Sequence, residues 1–122
     1  MPINKKFTYT ALFTALSVSS FAASADEVNV YSFRQPFLIE PIMKKFTEKT
    51  GVKVNILFAK KGLIERVKRE GKLSPADLVL TSDFNRLMTL NNENLTQAVN
   101  SKVLTENIPS QYRDPEQQWF AL

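Results

Sequence analysis

The stretch EVNVYSFRQPFLIEPIMKKFTEKTGVKVNILFA, Glu27 to Ala59, decides the fold because its hydrophobic pattern changes twice. The first six residues, EVNVYS, combine β-branched valines with a tyrosine and predict a strand. The middle part repeats apolar residues at helical spacing, and the final VKVNILFA alternates before it closes as an apolar run. A strand, a helix and a second strand in this order predict parallel strands joined by a right-handed crossover.

Two prolines and a glycine limit the first predicted helix. Pro36 suits its first turn, and Gly51 suits the position just after its end. Pro41 lies deeper in the segment, where a proline costs a backbone hydrogen bond. We therefore predict that the helix begins only near Glu40 or Pro41, with Pro36 in the approach to it.

The alternation of strands and helices continues after Ala59. KGLIERVKREG predicts a short amphipathic helix that ends at Gly71, with Leu63, Ile64 and Val67 facing inward. Residues 77–81 predict a third strand. The order that results is typical of an α/β fold with a mostly parallel, buried sheet.

A third helix and a loop-rich segment complete the chain. DFNRLMTLNNEN predicts a helix capped by Asp83. Short segments follow around a turn at Asn100–Ser101, and the closing WFAL predicts the opening of another strand. One face of the third helix is expected to carry Phe84, Leu87, Met88 and Asn91.

Residues 1–25 predict a secretory signal peptide rather than part of the fold. Lys5 and Lys6 form a basic start, an apolar stretch diluted with serine and threonine follows, and small residues precede Asp26. A membrane anchor is the alternative, but the apolar stretch is short for a span. We expect export and cleavage after about Ala25, which leaves residues 26–122 as the mature chain.

The composition excludes several chemistries. The 122 residues include no cysteine and no histidine, so thiol nucleophiles, imidazole bases and zinc fingers are absent. The formal net charge of +4 falls to +2 when Lys5 and Lys6 are removed with the signal peptide. This mild charge lacks the concentrated basic face that nucleic-acid binding needs.

Polar residues follow each predicted strand. In open α/β sheets, ligands bind beyond the carboxyl ends of the strands, where helix N-termini favour anions. An arginine there can grip a planar oxyanion through two parallel hydrogen bonds, and a glutamine adds a neutral donor. The three loops carry Ser32, Arg34 and Gln35, then Lys60, Lys61 and Gly62, then Thr81, Ser82 and Asp83.

Each of these residues also has a purely structural interpretation. Arg34 and the Lys60–Lys61 pair can be solvated surface charges, since lysine is usually exposed. Thr81 and Ser82 can be a turn and helix cap, and Asp83 suits the cap of the third helix better than a ligand role. Core packing is the default for Tyr31, Trp119 and Phe120, and a surface position is the default for Tyr112.

No enzymatic motif is present. The chain has no carboxylate pair at a defined spacing and no glycine-rich phosphate loop, because Gly62 is the only glycine at a strand–helix turn. An enzyme is therefore disfavoured.

Several motifs resemble the periplasmic ferric-iron-binding proteins of ABC importers. They are VYSFRQP, FAKKGLIERVKREG, SPADLVLT and RDPEQQWFAL. The resemblance implies a class II periplasmic binding protein whose two lobes close on Fe(III) with a carbonate-like synergistic anion. Hard Fe(III) suits tyrosinate oxygens. The loaded protein then docks on an inner-membrane permease.

The resemblance assigns roles to only part of this chain. Gln35 stands where some family members carry a histidine ligand, and Ser82 stands at or beside a carboxylate ligand position. The implied branch uses tyrosines plus an anion, with Arg34 and Gln35 contacting the anion, and leaves no metal ligand here. Tyr31 and Tyr112 do not match the family's tyrosine ligands.

The resemblance also implies that family members continue past WFAL into a second lobe that bears the tyrosine pair. We therefore expect a three-layer periplasmic-binding-protein-like lobe, truncated after the first lobe's N-terminal segment, that does not bind Fe(III) tightly alone. The isolated chain should be marginally stable or associate, because its sheet lacks a strand. An oxyanion receptor, or a fragment acting at most as an interaction module, remains the alternative.

Overall fold

The computed structural model describes residues 26–121, and the expected signal peptide lies outside them. The elements follow the predicted β-α-β-α-β-α order, and a short fourth helix comes after them. Two 3₁₀ turns, Gly71–Leu73 and Ser110–Tyr112, complete the list. The elements are β1 Glu27–Ser32, α1 Pro36–Thr50, β2 Lys53–Phe58, α2 Leu63–Glu70, β3 Leu78–Leu80, α3 Phe84–Asn92 and α4 Lys102–Asn107.

The three strands form a parallel sheet in the order β2-β1-β3, which confirms the predicted α/β class. The central strand is the most buried, and Ser32 at its end has no exposed surface. Ser32 pairs with Phe58 on one side and with Leu80 on the other. All three strands therefore end at the same level, which places the loops after them along one edge of the sheet.

The two faces of the sheet are covered by different helices. Tyr31 of β1 packs with Leu63 and Val67 of α2, and its register partners Leu57 and Val79 pack against this core. The opposite face belongs to α1, which borders a groove together with β2. Consecutive strand residues alternate between the faces, so the helices on each side cover alternate side chains of β1.

The predicted start of α1 was wrong. The helix begins at Pro36, and Pro41 lies inside it. Ile39, which is only 4% exposed, packs its side chain inward on the turn before Pro41. Burial of the Ile39 side chain offsets the one backbone hydrogen bond that Pro41 removes. The predicted end is confirmed, because Gly51 has the left-handed φ of 77° and its N–H donates to the Thr47 carbonyl over 2.8 Å.

The later elements confirm the prediction in part. Leu63 and Val67 are buried, and Asp83 caps α3. In α3, however, the buried side chain is Leu90, whereas Phe84 is 57% exposed. Leu87, Met88 and Asn91 are half-buried, so Phe84 is the one member of the predicted face that is exposed. The Phe84 ring instead meets Trp119 edge to face, with centroids 5.6 Å apart.

The segment after α4 forms a turn in place of the predicted strand. Only one antiparallel bridge, between Arg113 and Phe120, joins its two sides within residues 26–121. The Asp114 N–H donates to the Trp119 carbonyl over 2.9 Å, which closes the turn. A strand needs a neighbouring strand to pair with, and none of the described strands lies beside this segment. No helix in the described range is long and apolar enough to cross a membrane.

Candidate functional site at the carboxyl edge of the sheet

The backbone ladder extends one residue past the strand ends. The Phe33 N–H donates to the Leu80 carbonyl over 2.9 Å, and the Ala59 N–H donates to the Ser32 carbonyl over 3.1 Å. The loop after β1 is therefore hydrogen-bonded to the end of β3, and the loop after β2 to the end of β1. This arrangement gathers the three polar loops predicted from the sequence at a single edge.

Ser32 acts on the backbone of the first loop. Its hydroxyl donates to the Arg34 carbonyl over 2.8 Å and accepts the Arg34 N–H over 3.0 Å. The side chain is completely buried, so its oxygen faces Arg34 and not solvent. The tight turn that results projects Arg34 and Gln35 beyond the end of β1.

Arg34 and Gln35 are exposed at the start of α1. Gln35 is the N-cap residue, but its side chain makes no capping hydrogen bond, and the first turn of the helix has no acidic residue. Within residues 26–121, Arg34 takes part in no ion pair. An exposed arginine without an ion pair among the described residues therefore directly precedes a helix N-terminus, which carries a partial positive charge.

The second loop carries exposed charge on a fixed turn. Lys60 and Lys61 are exposed, and Gly62 has the left-handed φ of 83°. A side chain at Gly62 would strain this backbone, which explains the glycine. Glu65 lies in the first turn of α2 and opposes the local positive potential. This helix start is therefore less favourable to an anion than that of α1.

The third loop repeats the turn of the first. The Thr81 hydroxyl accepts the Asp83 N–H over 3.1 Å, as Ser32 does for Arg34. The Asp83 carboxylate then accepts the Asn85 N–H over 2.9 Å and caps α3. Ser82, between them, is exposed at the tip. Asp83 therefore has the capping role that the sequence favoured.

Arg86 is a residue at this edge that sequence reasoning missed. Its guanidinium lies 4.4 Å from the centre of the Phe33 ring, and its Nε lies 4.0 Å from the Asp83 carboxylate. The spacing of three residues from the N-cap was visible in the sequence. The contact with Phe33 was not, because it depends on how α3 packs beside β1.

Tyr31 is held in a polar network behind the edge. Its hydroxyl donates to the Glu70 carboxylate over 2.9 Å, and Arg66 Nε donates to the same group over 2.7 Å. Ser74 donates to the other carboxylate oxygen over 2.7 Å. Burial, followed by the hydrogen bond to Glu70, raises the pKa of Tyr31 above its ordinary value.

The same network lowers the pKa of Glu70, chiefly through the hydrogen bond from Arg66 and then that from Ser74. Tyr31 is thus kept protonated in the core, as its default interpretation expected. Tyr112 is 52% exposed, also as expected. Among residues 26–121, no group of three or more carboxylates is placed to hold a metal ion.

Comparison with known proteins shows that this chain is similar to iron-uptake proteins. No family model matches the sequence. Iron uptake protein A1 of Synechocystis is 41% identical over 95 residues, which cover 77% of this chain and 26% of the relative. A relative from Serratia marcescens, called Fe(3+)-binding periplasmic protein, is 28% identical to this chain. The match covers 32% of the length of that relative.

Two solved structures resemble this chain in both sequence and fold. Ferric iron-binding protein A of Mannheimia haemolytica, in an open conformation, is 60% identical and superposes with a TM-score of 0.76. The match covers 79% of this chain and 30% of that protein. The Trichodesmium protein IdiA (FutA), in complex with iron and citrate, is 41% identical with a TM-score of 0.71, over 77% of this chain and 30% of its own.

The chain spans about 30% of the length of these proteins. Its three-stranded lobe therefore corresponds to part of a periplasmic-binding-protein fold. Sequence and structure together identify the chain as a homologue, over that part, of the ferric-iron-binding proteins.

Proposed function

We propose that this chain is part of the periplasmic solute-binding component of a ferric-iron ABC importer. Residues 26–122 would form part of its N-terminal lobe, and residues 1–25 the signal peptide that exports it. The relatives support this proposal, because they are iron-uptake and ferric-iron-binding proteins, one of them periplasmic. An inner-membrane permease is the expected partner, and binding and release of Fe(III), with no enzymatic step, is the expected activity.

Arg34 and Gln35 contact the synergistic anion in this proposal. The unpaired, exposed guanidinium of Arg34 at the uncapped start of α1 is the observation that carries it. A carbonate or carboxylate there would accept hydrogen bonds from Arg34, from the Gln35 amide and from the Phe37 N–H, since Pro36 has no N–H and the Leu38 N–H donates to the Gln35 carbonyl over 3.0 Å. The citrate in the Trichodesmium structure shows that a homologue holds an oxyanion together with iron.

The remaining edge residues line the cleft in this proposal. Lys60 and Lys61 add positive potential, which raises the local concentration of anions. Gly62 and Thr81 shape their turns, and the exposed Ser82 offers a hydroxyl. Ser32 and Asp83 contribute indirectly, since their side chains hold Arg34 and α3 in place.

Fe(III) is the cargo of the transporter in this proposal. This chain supplies at most the residues that hold the anion in the coordination shell of the iron. Tyr31 is an unsuitable ligand because its hydroxyl is buried and donates to Glu70. Tight iron binding then requires tyrosinate oxygens from outside residues 26–121. An absorption titration with ferric citrate and bicarbonate should therefore show no tyrosinate-to-iron charge-transfer band. A band that disappears in Tyr112→Phe would contradict this account.

Calorimetric titration with bicarbonate and with citrate tests the anion site. The parent chain should bind weakly, and Arg34→Ala should lose at least about tenfold in affinity, since a hydrogen bond to a charged group contributes about 1.5–3 kcal/mol and about 1.4 kcal/mol corresponds to tenfold. Lys45→Ala removes the same charge from an exposed position on α1 and serves as the control. Equal affinities of the parent and Arg34→Ala would overturn the assignment.

A further inference from the structure

The guanidinium of Arg86, in the first turn of α3, contacts Phe33 in the loop after β1. We infer that Arg86 is a positioning residue for the anion-contacting pair Arg34 and Gln35, an inference that rests on the proposed anion site. Arg86 acts through Phe33, over whose ring its guanidinium lies at 4.4 Å. This pair, Phe33 and Arg86, is called the edge clamp below.

Phe33 is held on three sides. Its N–H donates to the Leu80 carbonyl over 2.9 Å, which ties it to β3. Its side chain packs against the buried core formed by Tyr31, Leu63 and Val67. Arg86 covers the ring and contributes a cation–π contact. Phe33 therefore has one well-defined position while Arg86 stays in place.

Arg86 is itself anchored at the third loop. It is partly buried, and its Nε lies 4.0 Å from the carboxylate of Asp83. Asp83 is fixed in turn by two hydrogen bonds. Its N–H donates to the Thr81 hydroxyl, and its carboxylate accepts the Asn85 N–H and so caps α3. The edge clamp thus joins two loops that the chain separates by about fifty residues, and sets the distance between them.

The position of Phe33 determines that of Arg34. The two residues are adjacent, and both backbone groups of Arg34 are bonded to the buried Ser32 hydroxyl. Without the edge clamp, the loop gains conformations that an incoming anion must then exclude. Such ordering weakens binding even when every anion contact is retained.

Nuclear magnetic resonance of the full chain can test this inference with bicarbonate as the probe. The variants are Arg86→Met, Phe33→Leu, the double variant and Arg86→Lys, which keeps a cation for the ring. Arg69→Met is the matched control, because Arg69 is exposed on α2 and its loss changes the net charge equally. Affinity is read from the amide shifts of Arg34 and Gln35.

Arg86→Met and Phe33→Leu should each weaken bicarbonate binding by roughly threefold to tenfold, and the double variant by no more than the stronger single variant. Arg86→Lys should recover most of the loss, and Arg69→Met should change affinity less than about twofold. Unchanged affinity in Arg86→Met, additive losses, or an equal loss in Arg69→Met would overturn the inference.

Amide hydrogen exchange without any anion separates this inference from the proposed function. The Phe33 N–H should exchange faster in Arg86→Met than in Arg69→Met, because the loop opens more often. Equal exchange rates would refute the edge clamp even in a chain that binds bicarbonate. If exchange accelerates while the parent chain binds no bicarbonate, the edge clamp stands and the proposed anion site fails.

Discussion

The two faces of the sheet differ in how completely they are covered. On the α2 face, Tyr31, Leu63 and Val67 are at least 91% buried, and the Tyr31 hydroxyl is hydrogen-bonded. On the α1 face, only Ile39 of the helix is buried. Leu38, Ile42 and Phe46 of α1 and Leu78 of β3 are all more than 40% exposed. The α2 face is therefore the more completely buried of the two, and we expect the exposed apolar side chains of the α1 face to favour association.

The exposed apolar side chains of this face lie on α1 and on the edge strand β3, whereas Val30 of the central strand is only 1% exposed. Leu78 pairs with Val30, whose side chain points to the α1 side, opposite to that of Tyr31. The stripe of Leu38, Ile42 and Phe46 runs along one side of α1 at intervals of four residues. Within residues 26–121, no helix or strand covers the exposed side chains of Leu38, Ile42, Phe46 and Leu78. An exposed patch of this kind favours contact with another apolar surface.

The largest expected effect is on the α2 face. Leu63 is 2% exposed, so Leu63→Ala should lower the free energy of unfolding by about 2–5 kcal/mol, through lost burial and the cavity that remains. Chemical denaturation measures the change. Leu73→Ala is the control, because Leu73 is 90% exposed and its truncation should cost less than about 0.5 kcal/mol. Similar losses in both variants would mean that the α2 face is not the core.

A smaller effect is expected from the hydroxyl of Tyr31. Tyr31→Phe keeps the ring but removes the donor to Glu70, which should cost about 1–2 kcal/mol of unfolding free energy. Tyr112→Phe removes a hydroxyl from a half-exposed ring and should leave stability unchanged. A Tyr31→Phe chain as stable as the parent would show that the network does not stabilise the fold.

Stability should also depend on pH through the same network. The folded-state pKa of Tyr31 is raised, so its contribution is complete below the ordinary tyrosine pKa of 10.0 and is lost as pH rises through the folded value. The folded-state pKa of Glu70 is lowered from 4.5, so its contribution is present above that value and is lost on acidification. Thermal melts across pH should show a flatter alkaline limb in Tyr31→Phe and a flatter acid limb in Glu70→Gln. Unchanged limbs in these variants would contradict the assignment.

The smallest effect on stability is expected on the α1 face. Ile42 is 65% exposed, so Ile42→Glu should change the free energy of unfolding by less than about 0.5 kcal/mol but should reduce self-association. Sedimentation velocity measures association directly. Val103→Glu, at a 69% exposed position on α4, gives the same charge change on another surface. A parent chain that is monomeric and melts cooperatively would remove the expected contrast between the two faces.

The sequence was sufficient to predict the structural features that local residue patterns encode. Valine-rich β1 and the glycine that ends α1 appear where their spacing predicted them. The position of Pro41 inside α1 was not predictable, because a lost hydrogen bond is visible in the sequence while compensating burial of Ile39 is not. The exposed position of Phe84 on α3 was not predictable for a related reason. Packing beyond the helix decides that Leu90 is buried and that Phe84 meets Trp119.

In the candidate site, too, the sequence predicts which residues lie on the loops, but not the contacts that they make. The rule for strand ends is enough to predict from the sequence that Arg34, Lys60 and Ser82 lie along one edge. The buried hydroxyl of Ser32, bonded twice to Arg34, required the structure. The contact of Arg86 with Phe33 also required it, because it joins residues that are distant in the sequence. Local propensity places residues on a loop, but tertiary packing determines what they touch.

Chemical-shift mapping with bicarbonate tests the central claim most directly, because it shows where on the folded chain an anion binds. The account predicts that the largest amide shifts fall at Arg34, Gln35 and Phe37, at the uncapped start of α1. Smaller shifts should occur at Lys61 and Gly62, where Glu65 opposes an anion. No saturable shift at the α1 start, or larger shifts at the α2 start, would contradict it.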